Sequence, residues 1–77
     1  MNWKEENNSI LKTFKFNNFK SALSFVNQVG EISEQAQHHP DICIHDYNKV
    51  DITLTTHDEN SITDKDYSLA QAIDSIK

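Results

Sequence analysis

The chain has 77 residues and a net charge of −5, with 36% hydrophobic and 25% charged residues. This is the length of one small globular domain, residues 1–77, in which roughly 60% of the unfolded surface can be buried, so oligomerisation is a natural source of further stability. The seven basic residues are scattered lysines, which argues against direct nucleic-acid binding; the apolar runs are too short to cross a bilayer, and Met1-Asn2-Trp3-Lys4-Glu5-Glu6 does not have the pattern of a signal peptide.

Trp3-Lys4-Glu5 is expected to form a short strand, followed by turn chemistry in Glu6-Asn7-Asn8-Ser9. In the next segment, Ile10 to Phe16, Phe14 and Phe16 share one face while Thr13 and Lys15 take the other, the alternation of a strand. From Asn18 the period lengthens. Phe19, Ala22, Leu23, Val26, Val29, Ser33 and Ala36 form one stripe of an amphipathic helix, with Asn17 or Asn18 as the cap. Gly30 lies in that stripe, where it costs ~1 kcal/mol against alanine but would let another element approach closely. Pro40 forbids continuation of the helix and biases His39 toward extended backbone.

Ile42-Cys43-Ile44 and the turn-like Asp46-Tyr47-Asn48-Lys49 follow. The spacing leaves open whether residues 42–48 make their own strand or one bent strand with 50–57. Cys43 is alone, so no internal disulfide can form and a reducing, cytoplasmic compartment fits; within its apolar run it reads as a small buried hydrophobe. Val50, Ile52, Leu54 and Thr56 alternate with Asp51, Thr53, Thr55 and His57, placing the first set on a core and His57 on the opposite side. Asp58 to Ser61 is a loop, and Thr63-Asp64-Lys65-Asp66 is a capping box opening a last helix with Leu69, Ala70, Ile73 and Ile76 toward the core. The order predicts an α+β fold, a sheet of adjacent antiparallel strands with helices packed on one face.

The chemistry concentrates in the histidines. His38 and His39 are adjacent, Glu34 lies four residues before His38, and His57 ends a strand. Imidazole can supply acid and base near neutrality, so the trio His38, His39 and His57 is a candidate for general acid–base work, against the alternative of ordinary surface residues. If the last helical turn persisted, Glu34 and His38 would share a helix face, and Glu34 could orient His38. Asp66 reads most simply as the capping carboxylate. Zinc is disfavoured, because adjacent histidines do not readily converge on one ion and neither CxxC nor HExxH occurs. A single glycine leaves no phosphate-cradling loop, and no serine sits in a nucleophile elbow.

Glu34-x-x-x-His38-His39-Pro40, Tyr47-Asn48-Lys49-Val50, Leu54-Thr55-Thr56-His57, Ile62-Thr63-x-x-Asp66 and Leu69-Ala70 together resemble the pterin-4a-carbinolamine dehydratase family. So does the stretch from Ile10 to Ala22. The resemblance runs from Trp3 to about Asp74. It implies a four-stranded antiparallel sheet with helices on one side, assembly as homodimer or homotetramer, and dehydration of a 4a-hydroxytetrahydropterin to the quinonoid dihydropterin without metal or cofactor. It further implies that His38 and His57 act as acid and base with His39 and Glu34 contributing, that His39, Thr56 and Asp66 help hold the reduced pterin, and that an aromatic amino acid hydroxylase is linked to the pathway. A coactivator-type interaction protein, or a pterin binder without turnover, is the alternative. Three departures stand out. Asn60-Ser61 replaces the family's glycine-containing pair, with Asn60 the better suited to positive φ; the segment from Pro40 to Tyr47 is a residue longer than in some relatives; and the extra N-terminal helix of longer members is not expected.

Overall fold

A computed structural model of the chain describes residues 2–76. β1 (Lys4–Glu6) and β2 (Ser9–Lys15) form a tight hairpin. Its two turn residues, Asn7 and Asn8, have φ of 52° and 63°. Positive φ at both central positions matches the right-handed twist of the strands, and asparagine tolerates it better than most residues.

α1 (Phe19–Ala36) starts at Asn18, whose side chain accepts a hydrogen bond from the Ser21 amide at 2.8 Å. It ends earlier than Pro40 requires. Gln37 turns left-handed at φ 55°, its amide donates to the Glu34 carbonyl at 3.2 Å, and the His38 amide donates to the Ser33 carbonyl at 3.1 Å. This is a Schellman stop with glutamine where glycine is usual. The buried face of α1 is Ala22, Phe25, Val29 and Ser33, with Val26 and Ile32 at its flanks. The expected stripe is therefore rotated: Phe25 is in the core, whereas Phe19, Leu23 and Ala36 are exposed. Phe25 wins the core because its ring packs in tilted contact with Phe14, at 4.7 Å between ring centroids, and Phe16, at 5.0 Å.

Residues 41–54 are two strands, not one bent strand. β3 (Asp41–His45) and β4 (Lys49–Leu54) pair antiparallel through a three-residue loop in which Asp46 and Tyr47 both have positive φ. The loop is tied down by Asn48, which is buried; its amide side chain donates to the Phe16 carbonyl, and its own carbonyl accepts from the Phe16 amide. The sheet is wholly antiparallel in the order β1-β2-β4-β3. Ile10, Phe14, Val50, Ile52 and Leu54 carry its core side. α2 (Asp64–Ile76) adds Leu69, Ala70 and Ile73 to that core and is anchored at its far end by Asp74, which accepts from the Trp3 indole at 3.0 Å and pairs with Lys12 at 2.8 Å. The expected α+β architecture is the one observed. No helix among the described residues is long and apolar enough to cross a membrane.

Two expectations change. A Cβ built on Gly30 would meet nothing within 4 Å, so no other element among the described residues packs closely there. Gly30→Ala is therefore expected to stabilise the protein by about 1 kcal/mol, from helix propensity alone, read as an upward shift in thermal midpoint. Cys43 is not buried: Ile42 and Ile44 take the core side of β3, and alternation sends Cys43 to the open face of the sheet.

On that open face Thr13 donates to Asp51 at 2.6 Å, and His45 bridges Asp51 at 3.0 Å and Asp46 at 3.2 Å. The hydrogen bond with Asp51 is the main cause that raises the His45 pKa above its ordinary 6.5, and Asp46 adds to it. The Thr13 hydroxyl is the main cause that lowers Asp51 below its ordinary 3.8, with His45 adding to it. The His45 contribution is complete below pH 6.5 and fades as pH rises through its raised value; that of Asp51 is complete above pH 3.8 and fades as pH falls through its lowered value. His45→Gln should accordingly lower the thermal midpoint most between those two pH values and progressively less toward alkaline pH.

Candidate active site

Three segments at the ends of secondary-structure elements converge. They are the stop of α1, the turn that follows β4, and the first turn of α2. The Schellman stop matters here because it takes residues 38 and 39 off the helix and gives each side chain a direction of its own. The loop after β4 is closed by reciprocal hydrogen bonds between Thr56 and Ser61, with Asn60 at φ 51°. Asparagine thus supplies the positive φ at the position where the sequence favoured it, and His57 is held at the loop's exposed start.

Asp66 is the hub. Its side chain has no exposed surface. One oxygen, Oδ2, accepts from the Thr63 amide at 2.9 Å and from the Thr56 hydroxyl at 2.9 Å. The other, Oδ1, lies 2.5 Å from His38 Nε2. The capping box is therefore real: Asp66 reaches back to the Thr63 amide, and the Thr63 hydroxyl accepts from the Lys65 amide at 3.3 Å. The same carboxylate that caps α2 also holds His38, so its capping and site roles are one arrangement. Thr56 and Thr63 are linked to each other at 2.7 Å, which closes the polar cluster behind the histidine.

Glu34 does not partner His38. Its Oε2 lies 2.5 Å from Nε2 of His39, and both side chains are largely exposed. The sequence expectation assumed a continuing helix; with the last turn gone, His38 swings toward α2 and His39 returns over Glu34. His38, His39, Thr56 and His57 line one cleft of about 220 Å³, together with Gln37, Asp58 and Lys65. His57 makes no side-chain hydrogen bond among the described residues. Asp66, being fully covered, lies behind the cleft and is not among the residues that line it. Thr56 does line the cleft, but its hydroxyl is turned to Asp66 and Thr63.

Gln37, Asp58 and Lys65 were not singled out from the sequence. Gln37 adjoins the histidine pair and Asp58 follows His57, so adjacency was the available signal; Lys65 had none beyond sitting between two aspartates in a first helical turn. No group of three or more histidine, cysteine or carboxylate side chains among the described residues could hold a metal ion. What the arrangement offers chemically is two imidazoles exposed to one cleft, one backed by a buried carboxylate and one unconstrained, with a third imidazole paired to an exposed glutamate at the rim.

A sequence model described as "Pterin 4 alpha carbinolamine dehydratase" matches residues 1–76. A protein of Chloroflexus aggregans is 53% identical over 72 residues, covering 94% of this chain and 76% of its own length. One of Metallosphaera sedula is 45% identical over 76 residues, covering 99% and 78%. Both carry the name "Putative pterin-4-alpha-carbinolamine dehydratase". Among solved structures, a transcriptional coactivator/pterin dehydratase from Brucella melitensis superposes with a TM-score of 0.90 at 35% identity, over 97% of this chain and 81% of that one. A pterin dehydratase-like protein described as a RuBisCO assembly factor in the alpha-carboxysome gives 0.76 at 20% identity, over 95% and 83%, a likeness of fold.

Proposed function

The chain belongs to the pterin-4a-carbinolamine dehydratase family, and from that premise we propose that it removes water from a 4a-hydroxytetrahydropterin to give the quinonoid dihydropterin. The observation that carries the proposal is the cleft shared by His38, His39 and His57, with His38 held from behind by a carboxylate that has no solvent exposure.

The elimination must supply a proton to the hydroxyl leaving C4a and take one from N5, whose electron pair then forms the new N5–C4a double bond. The balance is redox-neutral, so it calls for no oxidant or reductant. With Asp66 as acceptor, His38 donates its Nε2–H to the carboxylate and keeps the Nδ1 lone pair free to take the N5 proton. As imidazolium forms on His38, the Asp66 carboxylate stabilises its positive charge. His57, exposed in the same cleft, delivers the proton with which hydroxide departs as water. Solvent returns the proton from one histidine to the other between turnovers. His39, fixed by Glu34 at the rim, holds the pterin against the pair. Acid–base assistance of this kind contributes about 10²–10⁴-fold each, and holding a flat substrate between two groups adds the benefit of fixed orientation.

The test is direct turnover of a 4a-hydroxytetrahydropterin, followed by formation of the quinonoid product. Wild type should exceed solvent by orders of magnitude, and His38→Ala should lose about 10²–10⁴-fold. Equal rates in wild type and variant would sink the assignment.

A second reading, an interaction protein of coactivator type, is favoured by the exposed Phe19 and Leu23, one helical turn apart on α1, and by the name of the Brucella melitensis relative. The two readings separate in His57→Ala, which should abolish turnover while leaving any complex made through α1 intact.

A further inference from the structure

Thr56 is buried just beyond β4 and is connected to both of the histidines assigned to proton transfer. Its hydroxyl donates to Asp66 Oδ2 at 2.9 Å, and Asp66 Oδ1 meets His38 Nε2 at 2.5 Å. Its backbone exchanges hydrogen bonds with Ser61, closing the loop that begins at His57. Counting protons fixes the direction of the side-chain arm. An ionised carboxylate only accepts, and a hydroxyl has a single proton to give. Thr56 gives its proton to Asp66, so the 2.7 Å contact between the Thr56 and Thr63 hydroxyls uses the proton of Thr63. Thr63 Oγ1 in turn accepts from the Lys65 amide at 3.3 Å. The chain therefore runs one way, from the Lys65 amide through Thr63 and Thr56 to Asp66. With the Thr63 amide it brings two donors to Oδ2, which leaves Oδ1 for His38.

Resting on the dehydratase reading, we propose that Thr56 is a positioning residue for both histidines and that Thr63 acts through it. The hydroxyl chain locks the Asp66 carboxylate against rotation, so that His38 keeps its Nε2–H on Oδ1 and its Nδ1 lone pair for the substrate. The backbone of the same residue holds the loop that carries His57 in the cleft. With its proton committed to Asp66, the Thr56 hydroxyl has none to offer a pterin, so it serves the reaction from behind the imidazole. Without that hydroxyl, Oδ2 keeps one donor, the Thr63 amide, and both carboxylate oxygens compete for His38. The imidazole then loses its fixed tautomer and aim, and displacing a reacting group by about 1 Å costs roughly a hundredfold in rate.

The test combines kcat for a 4a-hydroxytetrahydropterin, equilibrium binding of an unreactive 7,8-dihydropterin, and the ¹⁵N shifts of the His38 ring. Thr56→Val keeps the side chain's shape and removes the hydroxyl. Its kcat should fall roughly 10- to 100-fold while dihydropterin binding stays within about threefold of wild type. The neutral His38 ring should change from one tautomer to a mixture. Thr56→Ser returns the hydroxyl and should recover most of the lost rate, although it lacks the methyl group. Thr63→Val should lower kcat by a smaller factor, about three- to tenfold, and have no further effect in the Thr56→Val background, because it acts through Thr56. Weakened binding with kcat kept would make Thr56 a substrate contact and overturn the proposal. So would effects that multiply in the double variant, or a Thr56→Ser as slow as Thr56→Val. If Thr56→Val does not fold, Thr63→Val decides: a wild-type kcat with a single His38 tautomer overturns the chain. Absent turnover in wild type would fail the dehydratase reading, and the His38 tautomer in Thr56→Val would still decide the positioning role.

Discussion

Asp66→Asn is expected to cut turnover of a 4a-hydroxytetrahydropterin by about 10²–10⁴-fold in a protein that still folds. The substitution keeps the volume of a side chain that has no exposed surface, so the core need not repack. What it removes is one of two acceptor ends. Asp66 accepts from the Thr63 amide and Thr56 hydroxyl at one oxygen and meets His38 Nε2 at the other. An amide can keep its carbonyl toward Thr56 and Thr63, but it then presents N–H to His38 and forces the imidazole into the tautomer that accepts at Nε2. Nδ1 then carries the proton, and the lone pair proposed to receive the N5 proton is gone. Turning the amide round instead leaves the Thr63 N–H facing another donor. A strained buried polar group of this kind costs about 1–3 kcal/mol, visible as a lower denaturant midpoint. Two readouts separate positioning from mere scaffolding. The ¹⁵N shifts of His38 should report the switched tautomer, and kcat should fall far more than KM rises. A variant that loses stability, keeps the wild-type tautomer and turns over within a factor of three would remove Asp66 from the mechanism.

Phe25→Ala is expected to have the largest effect on stability, about 3–5 kcal/mol. Phe25 is 2% exposed and its ring makes tilted contacts with both Phe14 and Phe16, so truncation loses the ring's burial and two aromatic contacts and leaves a cavity. For 77 residues, total stability is on the order of 4–12 kcal/mol, so the loss is a large share of the whole. Urea unfolding should show a much lower midpoint with little change in slope. Phe19→Ala is the control on the same helix: with Phe19 49% exposed, its cost should stay within about 0.5 kcal/mol. If the two variants were equally destabilised, the placement of the α1 core face would be wrong.

Those two phenylalanines also mark where reading the sequence stopped short. Phe19 and Phe25 are both apolar and both compatible with a helical stripe, yet six residues apart they stand about 120° from one another around the helix axis. Periodicity establishes that a helix is present but leaves its rotation about its axis open by a residue or two when apolar residues flank the stripe on both sides. The partner decides. Phe25 is chosen because Phe14 of β2 and Phe16 just after it lie against its ring, contacts that no local pattern contains. Cys43 is the converse case. Its apolar neighbours suggested burial, yet strict alternation in β3, with Ile42 and Ile44 facing the helices, puts it on the open face.

The site divides along the same line. The sequence by itself determined the alternating strands around residues 10–16 and 50–54, the two helices, the capping box at Thr63–Asp66 and the set of side chains able to do acid–base chemistry, because each depends on residues within a few positions of one another; the division of residues 41–54 into two strands came only with the structure. Hydrogen bonds at turns, caps and alternating faces are local, and local physics can be read in order along a chain. Which histidine meets which carboxylate was decided only in the tertiary structure. Sequence spacing favoured Glu34 with His38, a pairing that needs the helix to continue. Gln37 ends it in a left-handed turn stabilised by amides that donate back to Glu34 and Ser33. His38 is then free to reach Asp66, 28 residues away, while His39 takes Glu34. A buried carboxylate must satisfy its lone pairs, and only the packing of α2 against α1 brings a histidine to the one that the cap leaves open.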